Sequence, residues 1–305
     1  MPESGPVLRC GARVLDLSAP VVMGVINVTP DSFSDGGRFL DPVRAVERGL
    51  SMVEEGAAIL DIGGESTRPG AAPVSAGEEI DRVLPVIERL ASDLAARDVP
   101  AILSIDTSKP EVMRAAAAAG AGLVNDVRAL RAPGALEAAA ATGCAIALMH
   151  MRGEPATMQH DPRYEDVVGE VKAFLLDRAQ ACREAGIGAD RIAIDPGFGF
   201  GKALAHNLEL LRRLPELAAT GLPVLVGLSR KSSVGALTGR AVGERLAGSL
   251  ALAALAVFNG ARIVRAHDVA ATVDAVKVAH AVRSRDHAVR NRDTAAHDIG
   301  GQGLP

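Results

Sequence analysis

Residues 101–126, AILSIDTSKPEVMRAAAAAGAGLVND, hold one complete folding unit. A six-residue run ends at Asp106, an alanine-rich segment stops at Gly120, and a second apolar run ends at Asn125 and Asp126. Ser108 and Glu111 have capping-box spacing, in which serine and glutamate satisfy orphan amides at a helix start. Runs that are apolar on both faces suit parallel strands buried under helices, so the stretch reads as strand, helix, strand.

The unit recurs in both directions. VVMGVIN stops at Asn27, AAILDIGGE at Asp61 and Glu65, AIALMH at His150 and RIAID at Asp195. PVLVGLSRK ends in Arg230 and Lys231, and ARIVRAHD in Arg265 and His267. Eight such runs alternating with helical patterns predict an α/β fold, a (β/α)8 TIM barrel with its active site at the carboxyl ends of the strands. Residues 7–17 predict a short N-terminal hairpin around Gly11 that covers the bottom of the barrel.

Helices are expected over 133–142, 165–184, 206–219, 243–258 and 270–284. Asp41 and Pro42 offer an N-cap and a first-turn proline to a helix with Val43, Val46, Leu50 and Val53 on its apolar face and Gly56 at its end. Ser75 and Glu78 repeat the capping box, and Pro85 is expected to kink the following helix or divide it. Residues 1–284 read as a single domain. The rest, 285–305, has little to bury and reads as a disordered tail.

A net charge of −4 over 305 residues lacks the basic balance of a nucleic-acid binder. Three scattered cysteines, Cys10, Cys144 and Cys182, give neither a disulfide framework nor metal-ligand spacing. The start, MPESGPVLRC, has no basic region leading into an apolar core, so no signal peptide is expected. The longest greasy stretch, Leu246–Phe258, falls short of the roughly 20 residues that span a bilayer. A soluble, cytoplasmic protein without membrane or nucleic-acid partners is the expectation.

Asp106, Asn125 and Asp195 end successive strands or near-successive ones, and acids with an amide suit the amino-pyrimidine edge of a pterin or guanine. The competing reading makes each of them a helix cap. Ser229–Ser233, SRKSS, together with Arg265 and His267, suits an anion at the last two strands. Against this, Arg230 is open to a salt bridge across the rim and His267 to a neutral buried role. DPGFGFGK (195–202) has neither Walker A nor dinucleotide-loop spacing, and His150 between two methionines reads as structural. Two long strand-to-helix loops, 29–40 and 65–74, read as lids over the site or as tolerated insertions.

MGVINVTPDSFSDGG (23–37), DIGGESTRPGA (61–71), SIDTSKPEV, NDVRAL, LMHMRG, DPGFGFGK, GLSRKS and RAHDV together resemble dihydropteroate synthase of the bacterial folate pathway. The resemblance covers about residues 12–282, in order. It implies a transferase that joins 6-hydroxymethyl-7,8-dihydropterin pyrophosphate to p-aminobenzoate, releasing pyrophosphate, and that is a target of sulfonamides. By resemblance, Asp106, Asn125, Asp195 and Lys231 hold the pterin, with Met149 and Phe200 packing on it. Asn27, Arg265 and His267 hold pyrophosphate, and Asn27 also holds Mg2+. Phe33 and Asp35 in the first loop and Thr67 and Arg68 in the second close over the site, while Pro69, Lys231 and Ser232 line the p-aminobenzoate pocket. Asn27, Asp35, Lys231, Arg265 and His267 would carry catalysis.

An arylamine is already neutral at pH 7 and needs no strong base, so the difficult step is loss of pyrophosphate. A dissociative, SN1-like displacement with water excluded is the expected route. The resemblance also implies a homodimer, for which the Leu246–Phe258 helix is a candidate face. Pterin-binding methyltransferases serving corrinoid proteins, and a non-catalytic pterin-binding paralogue, are the competing readings.

Overall fold

The computed structural model describes residues 6–29, 42–66, 72–153, 158 and 162–284. The opening stretch is β5 (Ile102–Asp106), α3 (Pro110–Ala118) and β6 (Leu123–Asp126), one strand–helix–strand unit as expected. Before it come a hairpin, β1 (Val7–Cys10) and β2 (Arg13–Asp16), then β3 (Val21–Asn27), α1 (Pro42–Glu54), β4 (Ile59–Gly63) and α2 (Ala76–Ala96). After it come α4 (Ala135–Thr142), β7 (Ala145–Met149), α5 (Val167–Glu184) and β8 (Ile192–Asp195). The chain continues through α6 (Leu204–Arg212), α7 (Leu214–Ala218), β9 (Leu225–Gly227), α8 (Ser232–Thr238), α9 (Leu246–Phe258), β10 (Ile263–Ala266) and α10 (Val269–Arg283).

Strands β3 to β8 pair in chain order, all parallel, and β10 lies between β9 and β3. A parallel bridge from Ile194 to Val224 joins β8 to the start of β9 and closes the ring. The (β/α)8 barrel read from the sequence is therefore present. Alternation along each strand then sorts side chains into two sets. Leu60, Ile62, Leu103, Ile105, Val124, Ile146 and Ile194 point out into one large core with the helices.

Met23, Ile59, Ile102, Leu123, Ala145, Leu225 and Ile263 point inward and form a second apolar cluster, with Leu8, Cys10 and Leu17 of the hairpin segment against it. The hairpin thus plugs the amino end of the barrel with apolar side chains. The carboxyl end is where polar side chains collect.

Several local readings need correction. In α1 the buried face is Ala45, Val46, Gly49 and Met52, whereas Val43 is 62% exposed. Small residues at 45 and 49 let the helix lie close to the barrel, and that approach outweighs the bulk of Val43. Ser108 does not cap α3, whose N-cap residue is Lys109 without a side-chain cap. The Ser108 hydroxyl instead donates to the buried Asp126 carboxylate, which also accepts from the amides of Arg128 and Leu130.

Ser75 does cap α2, accepting from the Glu78 amide at 3.2 Å, and α2 runs through Pro85 as one helix. The segment expected as one helix over 206–219 is α6 and α7, divided at Arg213 just before Pro215. Asp41 and residues 285–305 lie outside the described residues.

Candidate active site

Asp61 sits in the barrel interior with no solvent exposure, one layer above the apolar plug. The sequence reading noted it only as a strand ending and gave it no role. Three donors converge on its carboxylate: Ser104 Oγ at 2.6 Å, Asn125 Nδ2 at 3.0 Å and Arg265 Nε at 2.6 Å. Arg265 reaches on with Nη2 to Asp106 Oδ2 at 2.8 Å, so one guanidinium bridges two carboxylates. A buried carboxylate is tolerable only when paired and hydrogen-bonded, and Asp61 is both. Its partners come from β5, β6 and β10, which converge on it only when the barrel closes.

Asp106 and Asn125 are neighbours across β5 and β6, and Asp195 stands beside Met149 across β7 and β8. None of the three caps a helix, so that competing reading is set aside. Burial pushes the Asp106 carboxyl well above the usual carboxylate range, with Arg265 opposing and Asp61 and Glu79 adding to it. Burial likewise raises Asp195 to about 6, although the Gly197 amide at 2.7 Å and the cations of Lys231, Lys202 and Arg265 pull the other way. Lys231 is brought down to about 8 by burial and by Arg265, against the pull of Asp195 and Asp106. Burial works against charge on Arg265 too, but Asp61 and Asp106 more than offset it.

Apolar walls complete this rim. Met149 is buried with Val127, Met151 and Met158, and Phe200 packs against that group. Lys231 Nζ lies 4.1 Å from the centre of the Phe200 ring, a cation–π contact between two residues expected at one ligand.

The ends of β9 and β10 divide into structural and available groups. Arg230 makes a two-pronged salt bridge to Asp268, at 2.6 and 3.0 Å, the rim pairing that was the alternative to an anion role. Its backbone is left-handed, φ 58°. His267 Nδ1 lies 3.0 Å from Ser229 Oγ, and burial with Arg265 and Arg230 nearby brings its pKa down to about 4. The Ser229 hydroxyl also accepts from the His267 amide at 3.3 Å and keeps one proton and one lone pair, so it can serve either tautomer of the ring at Nδ1. Asn27, at the last position of β3, is half-buried, while Ser232 opens α8 and is exposed.

A second group missed in the sequence lies at the root of the second long loop. Lys109 Nζ pairs with Glu65 at 2.7 Å and, very closely, with Glu79, whose side chain has no exposure. Glu65 Oε1 in turn accepts from the Val74 amide at 3.1 Å, tying the two ends of that loop together. The loop residues expected at the site, Phe33, Asp35, Thr67, Arg68 and Pro69, lie outside the described residues. Among the described residues no group of three or more His, Cys, Asp or Glu is arranged to hold a metal.

Comparison with known proteins points the same way. Residues 23–267 match the family model described as pterin binding enzyme. Dihydropteroate synthase of Escherichia coli is 52% identical over 270 residues, covering 88% of this chain and 94% of that protein. The structure of Xanthomonas albilineans dihydropteroate synthase with 4-aminobenzoic acid superposes with a TM-score of 0.84 at 55% identity, covering 92% of this chain and 99% of that one. Yersinia pestis dihydropteroate synthase, solved as a sulfonamide drug complex, gives a TM-score of 0.85 at 50% identity, covering 91% and 99%. A polar cluster of this make-up at the carboxyl mouth of a plugged barrel, within a chain half identical to these enzymes, places the protein in the pterin-binding family as a dihydropteroate synthase.

Proposed function

We propose that Asp106, Asn125, Asp195 and Lys231 read the pterin, and that Arg265, His267 and Asn27 take the diphosphate it carries. The observation that supports this reading is the convergence of alternating acceptors and cations on one rim, around an arginine already shared by Asp61 and Asp106. The reaction of this family is condensation of 6-hydroxymethyl-7,8-dihydropterin pyrophosphate with p-aminobenzoate, giving 7,8-dihydropteroate and pyrophosphate, a step of folate biosynthesis.

An ionised carboxylate accepts from the N–H edge of the heterocycle, and the Asn125 carboxamide oxygen is left for the same edge once its nitrogen donates to Asp61. Phe200 and Met149 supply a wall for the flat ring system. In the chemical step the bond from the exocyclic carbon to the diphosphate oxygen breaks, and its electrons leave with pyrophosphate. The arylamine lone pair then forms the new carbon–nitrogen bond, and the proton it sheds goes to solvent.

Arg265 is a fixed donor for the charge that develops on the leaving group, and His267 donates to it in its Nε2–H tautomer. Asp61 holds Arg265 in place without touching substrate. The electron-rich pterin stabilises the positive carbon, which favours the dissociative route over direct displacement.

Asn27 offers a single neutral oxygen at the mouth, a donor set that suits a Mg2+ ion brought in with diphosphate rather than one caged by protein. Bound there, the ion would neutralise charge on the leaving group. The p-aminobenzoate site would be completed by Ser232, Lys231 and the loop bearing Thr67, Arg68 and Pro69, with Phe33 and Asp35 from the other loop. Sulfonamides, which share the outline of p-aminobenzoate, would compete there.

Leu255 and Phe258 of α9 and Val278 and Val282 of α10 are all more than half exposed, an apolar patch suited to a second copy of the chain. No described helix is long and apolar enough to cross a membrane. The three cysteines are free and buried, which fits a reducing cytoplasm. Isothermal titration tests the site assignment. With Mg2+ and pyrophosphate present, p-aminobenzoate should bind measurably, and without them its heat should vanish. Equal binding in both conditions would contradict an ordered site built on the anion.

A further inference from the structure

Lys202 closes the loop after β8 and is only 2% exposed, although nothing in the reaction asks for a lysine there. Its Nζ lies 2.9 Å from His150 Nδ1 and donates to the carbonyls of Phe200 at 2.9 Å, Gly197 at 3.0 Å and His150 at 3.3 Å. His150 follows the last residue of β7 and is kept neutral, its pKa brought down to about 3 by burial and by Lys202 itself. Burial also brings Lys202 itself down to about 7, against the pull of Asp195, and its protonated form shares three N–H bonds among these four acceptors. One amino group thus ties the end of β7 to both halves of a loop that has no regular structure of its own.

The loop needs such a tie. Gly197 and Gly201 have φ of 69° and 61°, a left-handed backbone that L side chains rarely adopt. A Cβ at either position would also stand 2.0 Å from the His150 carbonyl or 2.2 Å from that of Arg152. The chain is folded tightly onto the segment after β7, and its carbonyls turn inward where a neutral environment would leave them unpaired. Asn207 secures the far side, accepting from the Gly199 amide at 2.8 Å and donating to the Lys202 carbonyl at 3.2 Å.

Phe200 is what this folding delivers. Its carbonyl is held by Lys202, and its ring lies beneath Lys231 Nζ at 4.1 Å. Gly199 meets the Lys231 stem from the same side, where a Cβ would be 3.4 Å from Cδ.

We infer that Lys202 is a positioning residue for the pterin, acting through the loop it staples to set the Phe200 ring and, through that ring, the ammonium of Lys231. The inference rests on the pterin reading of the rim. Burying a lysine is costly, and the tie between the β7 end and the loop fixes Phe200, whose ring faces Lys231.

A double-mutant cycle on the full-length enzyme tests it, with Lys202→Met, Phe200→Leu and the pair, reading steady-state constants for both substrates and thermal stability. Lys202→Met should raise KM for the pterin substrate by about tenfold to 100-fold and, because Lys231 also lines the p-aminobenzoate site, should raise KM for p-aminobenzoate with it, at an unchanged melting temperature. Adding Phe200→Leu should cost little more than the worse single change, because both act on one wall. Additive losses, or an unchanged KM for both substrates alongside a lowered melting temperature, would overturn the inference. Should the methionine variant not fold, Lys202→Gln, which keeps one donor, enters the same cycle. Failure of both to fold would assign Lys202 to folding alone and also overturn it. Wild-type protein that binds no pterin would defeat the pterin reading itself, whatever the variants do.

Discussion

Asp195 carries the clearest single-residue consequence. Replacing it by asparagine swaps an acceptor for a group that presents N–H to N–H, and an unmatched buried contact costs roughly 1–3 kcal/mol. Asp195→Asn should therefore weaken pterin binding by about tenfold to 100-fold in titration calorimetry. Only the ionised carboxylate accepts at both oxygens, and burial lifts Asp195 to about 6, so protonation competes with ligand as pH falls through that value. In the wild type kcat/KM for the pterin substrate should begin to fall on the acid side near pH 7, where Asp106 takes up a proton, and steepen through pH 6. In the variant that limb should become shallower, Asp106 being the raised carboxyl that remains. An unchanged profile would mean that Asp195 does not face the ligand.

Arg265 behaves differently, because it is at once an anion donor and the partner of Asp61 and Asp106. Removing one member of a buried ion network leaves uncompensated charge, so Arg265→Ala should lower stability by about 3–5 kcal/mol as well as abolish pyrophosphate binding. Chemical denaturation reads the first effect and calorimetry the second. Full stability with loss of pyrophosphate alone would deny the network its structural part.

Elements were legible where one local signal governed them. The eight strands show as apolar runs cut off by polar residues, and the hairpin as two short runs around a glycine. Errors arose where a tertiary contact overrode the local signal. Ser108 had capping-box spacing, but the buried Asp126 carboxylate offered a stronger partner. Arg230 had the company of an anion site, but Asp268, 38 residues on, took its guanidinium. Asp61 was invisible as a site residue because its role exists only when β5, β6 and β10 close around it.

The same holds for Lys109, Glu65 and Glu79, which join the root of one loop to the starts of two helices. Lys109→Met would leave the buried Glu79 carboxylate without its cation, and its Oε1 already has no hydrogen-bond partner among the described residues. A loss of about 3–5 kcal/mol is expected in denaturant unfolding at neutral pH. A change within about 0.5 kcal/mol would show that Glu79 is held some other way.

The whole molecule separates its two tasks by end. The hairpin and the inward apolar layer seal one end of the barrel, and the network around Asp61 holds a charge-balanced rim at the other. Sealing matters to the chemistry, because electrostatic stabilisation of a departing diphosphate is strongest where water is excluded. The exposed apolar strip on α9 and α10 is the remaining large-scale feature. Leu255→Glu with Val278→Glu should convert a dimer to a monomer in sedimentation velocity while leaving the rim intact, and a native chain that already sediments as a monomer would remove the need for the strip.

The role proposed for this rim is to move a pterinylmethyl group from diphosphate to an arylamine. A coupled assay for pyrophosphate release tests it most directly, run on the purified chain with the pterin substrate and Mg2+, with and without p-aminobenzoate. Continuous release that requires p-aminobenzoate, and that yields one dihydropteroate for each pyrophosphate, is the predicted result. Release at the same rate without the arylamine, or none in its presence, would contradict the account.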